Sequence, residues 1–165
     1  MAWLQRQPAA VGCGLSQTKL CQETLTLRWK QRYFNFTRAL ARLELYVAKE
    51  SLTELEEPGF IQTFEFVSEL AWNTLKDFYE DQGIDAVSET LGIQGSKDAV
   101  RLAFHRGLIR DAKAWFRLIE DRNRTSHTYH EELAQQVGNN IRNEYIALFR
   151  ELALTLKPAF EKEDE

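Results

Sequence analysis

The chain's 165 residues suit a single domain with a core of its own, since domains run to roughly 100–200 residues. With 21 basic and 25 acidic residues, a formal net charge of −4 and 44% apolar residues, it reads as a soluble globular protein, neither a histone-like polycation nor a disordered acidic tail. Eight Gly and three Pro are too few for the turns of a β-sandwich or barrel, and the wealth of helix formers points to an all-α fold.

Residues 1–24 show no sustained periodicity and are broken by Pro8, Gly12 and Gly14. They read as a poorly structured extension, or as a start assigned too far upstream. Cys13 and Cys21 lie there without a His or further Cys nearby, so they read as incidental, and no metal or cofactor is expected. No apolar run approaches the ~18 residues of a membrane span, and the first residues carry charge where a signal peptide needs an apolar stretch. No membrane association is expected, and the expected location is the cytoplasm.

From Trp29 the pattern changes. Trp29, Tyr33, Phe36, Leu40, Leu43 and Val47 alternate in steps of four and three, one apolar stripe along a long helix. After a break containing Pro58, the stripe resumes with Phe60, Phe64, Val67, Ala71, Leu75 and Phe78 until Gly83. Two long helices joined by a short loop should pack antiparallel. Gly92 and Gly95 mark a connection, and Ser96 is the expected N-cap of a short helix closed by Gly107. Another helix is expected from a cap at Asp111 towards Arg122. The last should start at the capping box Thr128-Tyr129-His130-Glu131, bury Leu133, Val137, Ile141, Tyr145, Leu148 and Leu152, and stop at Pro158. The expected architecture is an antiparallel up-and-down four-helix bundle over residues 25–160 with a broken third helix and an acidic tail at 161–165.

Charge is unevenly spread. Arg101, Arg106, Arg110, Lys113, Arg117, Arg122 and Arg124 face only Asp111, Glu120 and Asp121 in the same window, which carries +4 while the remainder carries −8. A polyanion would be steered here, although a charged run is more often a solvated helix face. The window ends in Arg122-Asn123-Arg124-Thr125-Ser126-His127-Thr128-Tyr129. On one continuous helix, residues five apart point about 140° from each other. Asn123, Thr125 and Ser126 are weak helix formers, so the helix should break between Arg122 and His127. The two side chains could then meet over a phosphate at the start of the last helix, where free N–H groups and the dipole favour an anion. Arg124 and His130 form a second such pair, and spacing alone does not choose between them. Trp29, Trp72 and Trp115 fall on apolar stripes and read as packing residues, and His105 as a surface residue.

The run Arg122-x4-His127-x-Tyr129 resembles the signature of the HEPN superfamily, and its Tyr that of the HepT-like group, also called the nucleotidyltransferase substrate-binding protein family. Phe64-Glu65-Phe66-x-x-Glu69-Leu70-Ala71-Trp72-x-x-Leu75-Lys76-Asp77 is similar to that family's second helix. Ala103-Phe104-x-x-Gly107-Leu108-Ile109 with Trp115 and Glu120-Asp121-Arg122-Asn123 is similar to its third, and the likeness spans residues 27–160. The resemblance implies a homodimer encoded beside a minimal nucleotidyltransferase. It implies a metal-independent ribonuclease toxin with Arg122 and His127 in the catalytic positions. It also implies that the partner is an antitoxin that attaches AMP to Tyr129. Asn123 and Arg124 are candidates for binding the RNA substrate. The alternative implied by the older name is a non-catalytic subunit that presents substrate to the partner enzyme.

Overall fold

The computed structural model describes residues 14–84, 93–127 and 131–162. Helices joined by turns and short loops make up these residues, with no strand among them: α1 (Gly14–Val47), α2 (Glu57–Asp81), α3 (Ser96–His105), α4 (Ala112–His127), α5 (Glu131–Asn140), a π-helical turn (Ile141–Tyr145) and α6 (Ile146–Glu161). The contacts pair neighbours in opposite directions. Gln22 and Thr26 of α1 reach Asp81, Arg32 reaches Asp77, and the Tyr46 ring lies on Phe60, so α1 and α2 run antiparallel. Trp29 meets Phe160 and Phe36 meets Phe149 in the same sense along α1 and α6, as do Arg122 with Glu69 and Thr125 with Glu65 along α4 and α2.

The apolar stripes form the core. Phe36 and Leu43 of α1, Phe64, Val67, Ala71 and Leu75 of α2, and Ile141, Phe149 and Leu152 near the end of the chain are fully buried. At ~25 cal/mol per Å² of apolar surface, each large side chain of this kind contributes about 1.5–3 kcal/mol. The helix ends largely follow local chemistry. Gly83 and Gly107 take positive φ of 67° and 73° after α2 and α3, the left-handed conformation that favours glycine after a helix. Asp111 caps α4 through Oδ1, which accepts from the Ala114 N–H at 2.9 Å.

Four expectations about boundaries are corrected. First, α1 begins at Gly14, upstream of the boundary expected at 25. The Gln22 amide and Thr26 hydroxyl donate to Asp81 at the far end of α2, contacts that a periodicity search does not see. Second, α3 is capped by Gly95 rather than Ser96, which is its first helical residue. Third, α4 does not stop near Arg122 but runs unbroken to His127. The weak helix formers there do not compete with the helix: the Thr125 and Ser126 hydroxyls bond back to the Arg122 carbonyl, each at 3.0 Å, and both reach Glu65 on α2.

Fourth, Pro158 lies inside α6, which continues to Glu161. The ring removes one backbone bond, but Phe160 beyond it packs 4.8 Å from the Tyr33 ring and holds the last turn in place. The π turn was not expected at all. Its i→i+5 geometry brings residues five apart onto one side, so that Asn140 Nδ2 and Tyr145 Oη both donate to Asp121 Oδ2, at 2.8 and 2.7 Å.

Candidate functional site

Arg122 sits two-thirds of the way along α4, on the face turned towards α2. Its Nη2 donates to Glu69 Oε2 at 3.1 Å and its Nη1 to Asn123 Oδ1 at 3.2 Å. Glu69 is itself a hub: Oε2 accepts from the Trp72 indole at 3.0 Å and Oε1 from Asn73 Nδ2 at 3.0 Å. The carboxylate thus orients the guanidinium, and two side chains of α2 orient the carboxylate. Arg122 Nε is buried with no hydrogen-bond partner among the described residues, a cost that an acceptor entering the site would remove.

Glu69, Trp72, Arg122 and Asn123 line a cavity of about 260 Å³ between α2, α4 and the start of α3, with Gly95 and Ser96 on its third side. The first N–H groups of a helix have no partner within it, and that end carries positive partial charge. The helix start beside Arg122 is therefore that of α3, where the sequence pattern points to the last helix instead. Trp72, expected as packing, is half-buried: it touches the core on one side and lines the cavity on the other.

Arg124 points elsewhere. Its Nη1 lies 3.3 Å from Asp121 Oδ1, and the buried Asp121 also takes the Tyr145 and Asn140 donors. Of the expected site residues, the fold therefore brings Arg122 and Asn123 together in one cavity and turns Arg124 into a separate network. His127 closes α4, and its side chain lies outside the described residues, as do Tyr129, the Thr128 capping box and the alternative partner His130. Because α4 is continuous, positions 122 and 127 stand about 140° apart around one helix. The expected kink that would let them converge is absent.

The basic window is also largely neutralised. Arg101 pairs with Asp98, Arg110 with Glu151, Arg117 with Glu144, Arg122 with Glu69 and Arg124 with Asp121. The structure thus favours the reading of a solvated, ion-paired face for most of it. Glu69, which the sequence offered only as part of a motif, and Trp72, read there as packing, are the site residues that sequence reasoning did not place at the site. They stand in the helix-two motif, but 53 positions separate Glu69 from Arg122, and no local pattern announces so distant a pair. Among the described residues no cluster of His, Cys, Asp or Glu could hold a metal ion, and no helix is long and apolar enough to cross a membrane.

A model of the family described as nucleotidyltransferase substrate binding protein like matches residues 31–158. The chain is 40% identical over 79 residues to a probable ribonuclease HepT of Haemophilus influenzae, which covers 48% of this chain and 53% of that protein. It thus spans about half the length of that curated relative. A crystal structure of a Thermus thermophilus protein superposes with a TM-score of 0.58 at 27% identity, over 77% of this chain and 99% of the other.

Proposed function

The chain belongs to the HepT-like family of nucleotidyltransferase substrate-binding proteins, and from that membership we propose that it is a HEPN-type, metal-independent ribonuclease. In this reading it is the toxin of a two-component system whose antitoxin is a minimal nucleotidyltransferase. α3 and α4 are the two halves of the third helix of an antiparallel up-and-down four-helix bundle, which works as a cytoplasmic homodimer.

The observation that carries the reading is the Arg122 guanidinium, held by Glu69 and Asn123 in a cavity beside a helix start, with Nε lacking an acceptor among the described residues. Arginine stays protonated at any working pH and its planar fork matches a phosphate. Arg122 therefore supplies the cation for charge that develops on phosphorus, with Asn123 as a second donor. Arg124, engaged by Asp121 in its separate network, is assigned no direct contact with the phosphate.

Cleavage then needs two proton transfers. The RNA 2′-oxygen attacks phosphorus and its proton passes to a base. The 5′-oxygen leaves with a proton from an acid, giving a 2′,3′-cyclic phosphate and a 5′-hydroxyl. His127 is the family's catalytic position here, and histidine is the side chain that titrates near neutrality. With positions 122 and 127 on different sides of one helix, a single chain does not assemble the set, and the two-fold partner supplies the second His127. Tyr129 is the AMP acceptor: the nucleotidyltransferase moves AMP from ATP to its hydroxyl, releasing pyrophosphate and placing a bulky anion where the substrate phosphate sits.

The experiment is incubation of purified protein with total RNA in EDTA, beside Arg122→Ala and His127→Ala controls. Loss of cleavage in both variants is the expected result. Equal cleavage by all three would signal a contaminant. No cleavage by wild type would favour the second reading, a non-catalytic subunit that presents substrate to its nucleotidyltransferase, which the family's description favours.

A further inference from the structure

Away from Arg122, the face between α1 and α2 carries a groove of about 580 Å³ whose lining includes Arg38, Arg42, Gln62, Thr63 and Phe66 and no carboxylate. Both arginines are exposed. Arg38 rests over the Phe34 ring at 5.7 Å, and neither has an ion-pair partner among the described residues. This contrasts with the basic window, where five guanidinium groups are met by carboxylates. Arg38 and Arg42 are four apart on one helix, so they stand one turn above the other on a single side. Phe66, which is 57% exposed, stands at the groove's rim on α2.

We propose that this groove binds single-stranded RNA, with Arg38 and Arg42 on successive phosphates and Phe66 stacking on a base as the strand crosses α2 towards Arg122. The inference rests on the ribonuclease reading for the identity of the ligand. Its geometry stands on α2: Gln62, Thr63, Phe66 and Leu70 line the groove, whereas Glu69 and Trp72 line the cavity that holds Arg122. The two sites are therefore adjacent sides of one helix, about one helix diameter or ~10 Å apart. The α2 carboxylates Glu65 and Glu69 turn to the other side of the helix, towards Thr125, Ser126 and Arg122 of α4, and neither lines the groove. Paired guanidinium groups with an exposed aromatic ring are the elements that hold an unpaired strand irrespective of sequence. A second copy of this chain would instead call for an apolar or acidic complement, and two copies of the same arginine pair facing each other would repel.

The test uses the full chain and a fluorescein-labelled single-stranded RNA of twenty nucleotides, 2′-O-methylated so that no 2′-hydroxyl can attack, followed by anisotropy across a salt series. Arg38→Ala/Arg42→Ala should bind at least ~10-fold more weakly, and its slope of log affinity against log salt should be smaller by about 1.4, two phosphates' worth for a single strand. Arg38→Lys/Arg42→Lys should keep the wild-type slope, and Phe66→Ala should weaken binding with the slope unchanged. Unaltered affinity and slope in the double alanine variant would overturn the groove. So would a change of oligomeric state in that variant by light scattering, which would make the face a subunit interface. Binding with these dependences, together with no cutting of unmodified RNA by wild type, would refute the nuclease reading while leaving the groove standing.

Discussion

Glu69 Oε2 lies 3.1 Å from Arg122 Nη2, an ion pair made across two helices by side chains that both keep part of their surface in water. A pair so placed contributes at most about 1 kcal/mol to stability, so its value is directional. Glu69→Ala should leave the denaturant midpoint almost unchanged and lower kcat for RNA cleavage by roughly tenfold or more, as expected when a cationic group loses its alignment. Glu69→Gln, which can still accept from Arg122, should retain most of the rate. Steady-state cleavage of a fluorogenic oligoribonucleotide alongside urea melts separates alignment from folding.

The contact between Tyr145 and Asp121 is of the other kind, since both side chains are buried. Tyr145→Phe removes a donor from a carboxylate that cannot turn to water, and hydrogen bonds to charged groups contribute roughly 1.5–3 kcal/mol. We expect a loss of that size in ΔG of unfolding by urea denaturation, with the helical circular dichroism of the folded state retained.

Alkaline pH should expose the same buried groups. Burial raises the phenols of Tyr33, Tyr79 and Tyr145 above the ordinary 10.0, Tyr79 to about 12, and the hydrogen bond to Asp121 adds to the effect at Tyr145. A raised pKa in the folded state means that the contribution to stability is whole below pH 10 and is lost as pH climbs from 10 through the folded values. Chemical denaturation should therefore give a falling stability above pH 10, shallower in Tyr145→Phe. The 295 nm phenolate absorbance of these tyrosines should appear together with unfolding.

One outcome bears on the dimeric reading and another on the AMP acceptor. His127→Ala subunits mixed with wild type should give heterodimers of less than full activity, measured on tandem-tagged complexes. Tyr129→Phe should cleave RNA nearly as wild type does but escape neutralisation when co-expressed with the nucleotidyltransferase. Full neutralisation through AMP transfer in that variant would exclude Tyr129 as the acceptor.

Periodicity captured what depends on local order. The stripes from Trp29 to Leu43 and from Phe60 to Leu75 are buried as their spacing demands, and Asp111 caps α4 through its own side chain. What escaped was tertiary. Thr125 and Ser126 are poor helix formers in isolation, yet Glu65 accepts from both hydroxyls and the helix persists. The π turn was hidden because Asp121, its organising acceptor, lies 24 residues before Tyr145. Arg122 and Asn123 could be picked out by motif, but the carboxylate that aims the arginine comes from another helix.

The proline within α6 leaves its mark on how the ends of the chain are joined. With a backbone bond missing at Pro158, the turn that follows is anchored sideways through Phe160, whose ring meets Trp29 and Tyr33 near the beginning of the protein. The carboxyl-terminal turn is thus held by edge-on and tilted aromatic packing as well as by its own helical ladder. Trimming a few residues there would loosen the grip on α1 at the opposite end of the sequence.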